Sequence, residues 1–394
     1  MAILAVNAGS SSLKFSIYPL VDDQVQPSVL NGNIEGLEPG GAPVLGWTFQ
    51  GVSQQRQLPA TDGDAFEQAL LSLGELLTAE AAIPAIEAIA HRVVHGGKDY
   101  SASVLVTDEV MARLTLKISL APLHQPNNLQ GIRAFQKAFP ALPQVACFDT
   151  AFHATMAEVD YSFALPPSLT ELGVRRYGFH GLSYQYVMSV LQQCSKKANG
   201  RVLMAHLGNG ASLCAAREGR SCATTMGFSA LDGLVMGTRC GLMDPGVLLY
   251  LMEKGWDHDQ IQTLLYKQSG LLGVSGISAD MRRLRSDESP AAKKAIELFT
   301  HRVVRESGAL VACMNGLDLL AFSGGIGEHD TALRTQMGER LEWLGVKIDP
   351  LLNQQATGTE AMSIHSASSL VEVWVVPTDE GLVAAKDAAR LISN

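Results

Sequence analysis

The sequence predicts an α/β protein of two domains with a cleft between them, and three observations lead there. First, 394 residues, 47% of them hydrophobic and 18% charged, exceed one ordinary core; two domains of roughly 150–200 residues follow. Second, apolar strand-like runs alternate with helical stretches along most of the chain. Third, one pattern occurs twice. "AILAVNAGSSSLKFSIY" near the start and "RVLMAHLGNGASLCAAREG" in the second half are each an apolar strand, a turn of small residues and a second, alternating strand. The likeness is of pattern and not of identity, and it points to duplication.

Taken in order, residues 2–6 read as a buried strand. In the run that follows, Leu13, Phe15 and Ile17 alternate with Lys14, Ser16 and Tyr18, the period of a half-buried strand. Residues 22–63, rich in Gly, Pro, Gln and Asp, read as irregular strands and loops. A helix is expected over 65–80 and a buried strand over 86–94. Helical stretches flank residues 121–128, and 143–150 reads as another strand. "DLLAFSGGIGE" (318–328) reads as a strand running into glycines ahead of a helix over 329–345. The last 24 residues read as strand, turn and helix. Nothing in the chain is low-complexity or linker-like.

Charge narrows the function. A net −9 argues against nucleic acid or an anionic membrane as the main partner, though a locally basic site can still take a small anion. No apolar run approaches the ~20 residues that span a bilayer. The start lacks the basic region of a leader peptide and reads as a strand. The six cysteines form no CxxC pair, as expected of reduced thiols in a cytoplasmic protein. His91 and His95 have the spacing of a zinc pair, but the HExxH glutamate is missing and the segment reads as a strand.

"NAGSSSLKFSIY" (7–18) has no second glycine before Lys14 and continues as a strand, so it is neither a P-loop nor a dinucleotide fingerprint. Converging N–H groups, serine hydroxyls and Lys14 could still cradle a phosphate; a solvated hairpin tip accounts for the same residues. "HLGNGAS" (206–212) carries the same two readings, since Asn-Gly is also a hairpin signal. In "SGGIGE" (323–328) the glycines could admit a ligand or cap a helix. Arg92 and Arg239 each stand near glycines in apolar surroundings, an unusual setting for a solvated charge. Asp149 ends a strand, where α/β sites gather, or caps the next segment.

The ordered set "NAGSSSLKF", "HRVVHGG", "APLH", "FDTAFH", "RRYGFHG", "HLGNGAS", "GLVMGTR", "SGLLGVSG", "GGIGE" and "PTDEGLVAA" runs nearly end to end. In these motifs the chain resembles the acetate kinase family, whose fold belongs with the sugar kinases, actin and the heat-shock ATPases. The resemblance implies two ribonuclease H-like halves around an interdomain active-site cleft. An N-terminal domain of residues 1–150 would be completed by a C-terminal helix, 380–394; residues 151–379 would form the nucleotide-binding domain. The implied reaction is phosphoryl transfer between ATP and acetate, giving ADP and acetyl phosphate, by direct in-line transfer with Mg²⁺, or Mn²⁺ in its place. The family also implies a homodimer. A carboxylate substrate is already ionised at pH 7, so cations are needed rather than a general base.

Residue by residue, the resemblance gives Arg92 the substrate carboxylate, and Arg239 and His180 the transferring phosphoryl group. It gives Asp149 an acid/base role; with no proton to remove, orienting Arg92 or Mg²⁺-bound water is expected instead. Val94, Leu123, Phe179 and Ala230 would wall the acyl pocket, with His124 nearby. The nucleotide would meet Lys14, the loop His206, Leu207, Gly208, Asn209 and Gly210, the segment Asp280, Met281 and Arg282, and Gly325, Ile326, Gly327, Glu328 and His329. Asn7 and Glu380 would stand beside Mg²⁺, although Glu380 could equally serve a helix N-terminus. The chain departs from the family at "SALDG", where Ala230 replaces a proline and leaves room for propionate. Ala223, Cys240 and His329 depart as well, without removing a charge the chemistry needs. A propionate kinase is the nearest alternative, and a nucleotide-switched binding module of the same fold is the alternative from another class.

Overall fold

Alternating side chains decide the first sheet: Leu13, Phe15 and Ile17 are buried while Lys14 is exposed. The computed structural model describes residues 1–9, 11–38, 40–59, 65–79 and 82–393; Ser10 of the first turn, Glu80 and Asn394 lie outside the described residues. The chain divides into two compact units. One is Met1–Ala151 with the segment from Asp379 onward; the other is Phe152–Thr378.

The first unit holds β1 (Ala2–Ala8), β2 (Ser12–Val21), β3 (Gln24–Val25), β4 (Leu30–Glu35), β5 (Val44–Phe49), β6 (Val52–Gln57), β7 (Ile86–Val93), β8 (Val104–Leu105) and β9 (Gln144–Phe148). Its sheet runs β6-β5-β4-β2-β1-β7-β9-β8, with β3 paired to β2. The second unit holds β10 (Arg201–Leu207), β11 (Ala211–Arg217), β12 (Arg220–Thr224), β13 (Leu319–Ser323), β14 (Met362–Ser363) and β15 (Glu372–Val375), in the order β12-β11-β10-β13-β15-β14.

The same five-strand order lies in both sheets. In the first, β2 is antiparallel to both of its neighbours, β4 and β1, and β7 and β9 then extend the sheet parallel to β1. In the second, β12, β11 and β10 are antiparallel, and β13 and β15 follow parallel to β10. Parallel neighbours need long crossovers, and helices supply them: Gln125–Ala138 before β9, and the 25-residue helix Pro290–Met314 before β13. This repeated order is the ribonuclease H-like half, present twice.

One expectation needs correction and another extension. Among the described residues of 22–63, β4, β5 and β6 form a regular antiparallel meander in place of irregular strands. Only Leu30, Ile34 and Leu45 of these strands are buried, and every residue of β6 is exposed, so the polar composition reflects a one-sided edge and not a loop. The glycines of "SGGIGE" do run ahead of a helix, Thr331–Arg340, but they also begin one of their own, Gly324–His329, directly after β13. Gly324 opens it at φ +72°, where a side chain would strain the backbone and strike the Leu207 main chain.

Candidate functional site

In the first unit the site grows from strand register. β7 lies beside β9 with Arg92 opposite Cys147, so Asp149, two residues on, faces the same side as Arg92. The Asp149 N–H donates to Val93 O and carries the ladder one step past the strand. Arg92 Nε and Nη2 then donate to the two Asp149 carboxylate oxygens at 3.0 and 2.5 Å. Glu380, the first residue of the helix Glu380–Ile392, brings Oε2 within 3.2 Å of the same Nε. Nη1 makes one long contact, 3.5 Å to Asn7 Oδ1. Asn7 stands on β1 opposite Lys14 on β2. Asn7, Lys14, Ser16, Arg92 and Glu380 line one cavity of about 170 Å³.

Two carboxylates on one guanidinium shape the electrostatics. Burial works against the Arg92 charge, but Asp149 and Glu380 outweigh it and push its pKa up. Burial pushes the Asp149 carboxyl above its usual range, against the pull of Arg92. The Nε edge of Arg92 is thus committed, and the Nη1 side is the part that can meet a substrate anion.

The oxygens here also suit the cation that the family implies. Asn7 Oδ1 and the Glu380 carboxylate are hard donors without sulfur or imidazole, and they line the same cavity as Lys14 and Arg92. Among the described residues no three His, Cys, Asp or Glu side chains cluster as a closed metal cage. A cation here would therefore keep waters and substrate oxygens, as Mg²⁺ does.

The second unit gathers another group. His180 precedes the helix Gly181–Cys194 in the left-handed conformation, φ +58°, a rare and costly state for a non-glycine residue. Its ring stacks on His206 with centroids 4.3 Å apart, and Nδ1 lies 2.9 Å from Ser212 Oγ. Ser212 also meets the Tyr184 hydroxyl at 2.5 Å, and His206 Nδ1 meets Ser183 Oγ at 2.8 Å. His206 and Ser212 face each other across the β10–β11 hairpin, whose loop is Gly208, Asn209 and Gly210. A methyl group built on Gly210 would stand 3.3 Å from His180 Nε2 and 3.8 Å from Arg239 Nη1, so both donors converge on this loop. Arg239 Nη1 is steadied by the carbonyl of Ala230 at 3.1 Å. Phe179 is buried, and its carbonyl lies 2.9 Å from His153 Nε2.

The segments expected to meet the nucleotide are also tied together. Asp280 caps the helix Met281–Arg285 and pairs locally with the exposed Arg282. Arg285 reaches Asp330, just past the helix Gly324–His329, at 3.0 Å. Glu328 turns back, Oε1 accepting from the N–H groups of Gly324 and Thr378 at 2.8 and 3.1 Å, so its carboxylate caps rather than projects. Gly325 and His329 are exposed, Ile326 half-buried and Gly327 buried. Leu207 and Met281 are buried and can offer a ligand only their main chain.

The structure thus brings Asn7, Lys14, Arg92, Asp149 and Glu380 together in one unit, where Val94 is buried and Leu123 and His124 are half-buried. It brings His180, Arg239, Ala230 and the loop 206–210 together in the other. Sequence reading passed over Ser183, Tyr184 and Ser212. The signals were present: Tyr184 is one helical turn beyond His180, and Ser212 closes "HLGNGAS".

Comparison with known proteins agrees with this architecture. The family model described as "Acetokinase family" matches residues 2–386. A relative named acetate kinase from Rhodopseudomonas palustris (strain ATCC BAA-98 / CGA009) is 47% identical, over 99% of this chain and 98% of its own. Another, named acetate kinase from Rickettsia felis, is 41% identical over 99% of each. Among solved structures, a propionate kinase from Francisella tularensis superposes with TM-score 0.90 at 37% identity, covering 98% of both chains. An acetate kinase from Porphyromonas gingivalis superposes with TM-score 0.88 at 35% identity, covering 99% of both.

Proposed function

Since the chain belongs to the acetokinase family, we propose that it transfers the γ-phosphoryl group of ATP reversibly to acetate, giving acetyl phosphate and ADP. The observation that carries the reading is Arg92, gripped on one edge by Asp149 and Glu380, with its Nη1 side toward Asn7 in a cavity that Lys14 also lines. Acetate arrives ionised, so one of its oxygens attacks phosphorus as the bond to the bridging oxygen of ADP breaks, and no proton need move. The work is to bring an anion to a polyanion. A guanidinium that cannot swing away holds the carboxylate at no further cost in side-chain order.

His180 Nε2 and Arg239 Nη1, converging beside Gly210, are the donors we assign to the transferring phosphoryl oxygens. The second unit is then the nucleotide-binding domain, with the loop 206–210, the segment 280–282 and the helix from Gly324 around ATP. Asn7 and Glu380 would hold Mg²⁺, which when bound neutralises phosphate charge; Mn²⁺ shares its preference for oxygen. We place the enzyme in the cytoplasm as a homodimer. Six free cysteines support a reducing compartment, and no helix among the described residues is long and apolar enough to cross a membrane.

Acyl hydroxamate formation from ATP, acetate and hydroxylamine tests the reaction. No hydroxamate from any short carboxylate would sink it and leave a nucleotide-switched binding module. Mixed specificity has its own support: Ala230 stands where the family pattern has a proline, and one similar structure is that of a propionate kinase. One methylene in an apolar pocket discriminates by about 1–3 kcal/mol. In a series from formate to butyrate, kcat/KM for propionate should stay above roughly a thousandth of that for acetate.

A further inference from the structure

Two buried hydroxyls stand behind His180. Ser212 Oγ lies 2.9 Å from His180 Nδ1 and 2.5 Å from the Tyr184 hydroxyl, and neither Ser212 nor Tyr184 is exposed at all. Each hydroxyl has one proton to place. Among the described residues, Ser212 Oγ is the acceptor in reach of Tyr184. The Tyr184 hydroxyl makes no other side-chain hydrogen bond among the described residues. The Tyr184 proton therefore goes to Ser212 Oγ, and the Ser212 proton goes on to His180 Nδ1. Any order that puts a proton on Nδ1 strands one of the two hydroxyl protons without an acceptor, which burial makes costly.

We propose that Tyr184 and Ser212 are positioning residues that hold neutral His180 in its Nε2–H tautomer. Nε2 is the nitrogen beside Gly210, where Arg239 Nη1 also arrives. The stacked His206 ring, itself bonded to buried Ser183, fixes the imidazole plane, and the left-handed backbone of His180 aims it. The pair thus delivers an N–H donor where the phosphoryl oxygens would lie. This consequence rests on the placement of His180 at the transferring group; the tautomer itself does not.

The test is a two-bond ¹H–¹⁵N correlation on the full chain labelled at its 10 histidines, with the His180 signals assigned from a His180→Asn sample. The wild type should show Nε2 protonated and Nδ1 as acceptor. Ser212→Ala should give a tautomer mixture, and so should Tyr184→Phe, which frees the serine hydroxyl to point either way. Ser212→Thr, which keeps a hydroxyl, should restore the single tautomer. Alongside, Ser212→Ala should lower kcat about tenfold while KM for acetate moves less than about twofold. A wild-type His180 protonated on Nδ1, or a tautomer unmoved by either variant, overturns the relay. A tautomer that relaxes with kcat unchanged leaves the relay standing and removes His180 from the phosphoryl group.

Discussion

Asp149 takes two of the Arg92 nitrogens, and without it the guanidinium is left to Glu380 and the long contact with Asn7. Asp149→Ala should therefore raise KM for acetate about tenfold or more, because Arg92 regains rotamer freedom that each encounter must again remove. Initial rates at varied acetate measure it; an unchanged KM would show the clamp to be structural only. Arg239 carries a different expectation. It meets the carbonyl of Ala230 and converges with His180 on Gly210, so it should act on the transition state more than on binding. Arg239→Ala should lower kcat by about 10³ or more, the range for arginines that stabilise a transferring phosphoryl group. Hydroxamate formation at saturating ATP and acetate reads it directly.

At the scale of elements, one buried arginine holds a whole helix. Arg334 is fully buried and donates to the carbonyls of Gly327, Glu328, Asn353 and Ala356 and to the side chain of Asn353. Four of its five bonds go to main chain, so it locks the end of the helix Gly324–His329 to the segment around Asn353. Arg334→Lys keeps the charge but cannot span these acceptors. It should cost about 3 kcal/mol or more, read as a lower urea midpoint, since buried carbonyls lose their partners. Gly237 serves the opposite hairpin: its N–H donates to Asn209 O, and a Cβ there would run into Asn209 Oδ1. Gly237→Ala should shift the loop and raise KM for ATP about tenfold, with KM for acetate little changed.

These elements were unequally legible. The strand Leu13–Ile17 could be read because one face is wholly buried and the other polar, and the β10–β11 hairpin because two nearly continuous apolar runs, buried on both faces, flank a Gly-Asn-Gly turn. β4, β5 and β6 could not, because three buried side chains among Gly, Asn and Gln leave little periodicity to see. The helix at Gly324 was hidden by glycines, which read as a loop until a positive φ requires one of them. Arg92 was visible as an odd charge in an apolar run. That Asp149 and Glu380 would both grip it depends on strand register and on a helix far along the chain, which spacing does not encode.

Over the whole molecule, buried neutral histidines set the response to acid. Burial lowers the pKa of His91 to about 4, opposed by its bond to Gln144. Burial, aided by the charge of Lys117, lowers His95 to about 3. Burial lowers His153 to about 4, opposed by the Phe179 carbonyl. All three folded-state values lie below the unfolded value near 6.5, so their contribution to stability is complete above about pH 6.5 and is lost as pH falls toward 4. Each adds a slope of about 1.4 kcal/mol per pH unit across that window. The urea midpoint should fall steeply between pH 6.5 and 5, and His91→Gln should remove roughly a third of the slope.

The helix Glu380–Ile392 completes the first unit, yet it is made after everything in the second. On a ribosome adding about 5–20 residues per second, Arg92 and Asp149 wait roughly 10–45 s for Glu380 while the intervening unit is synthesised. Until then the wall formed by Glu380, Gly381 and Ala384 does not exist, and the apolar face meant for Val383, Ala384 and Ala388 lies open. A nascent chain stalled in the second unit is therefore both inactive and sticky. Activity becomes a late signal that translation has run through to this helix, and chains cut short before it should be the ones chaperones hold.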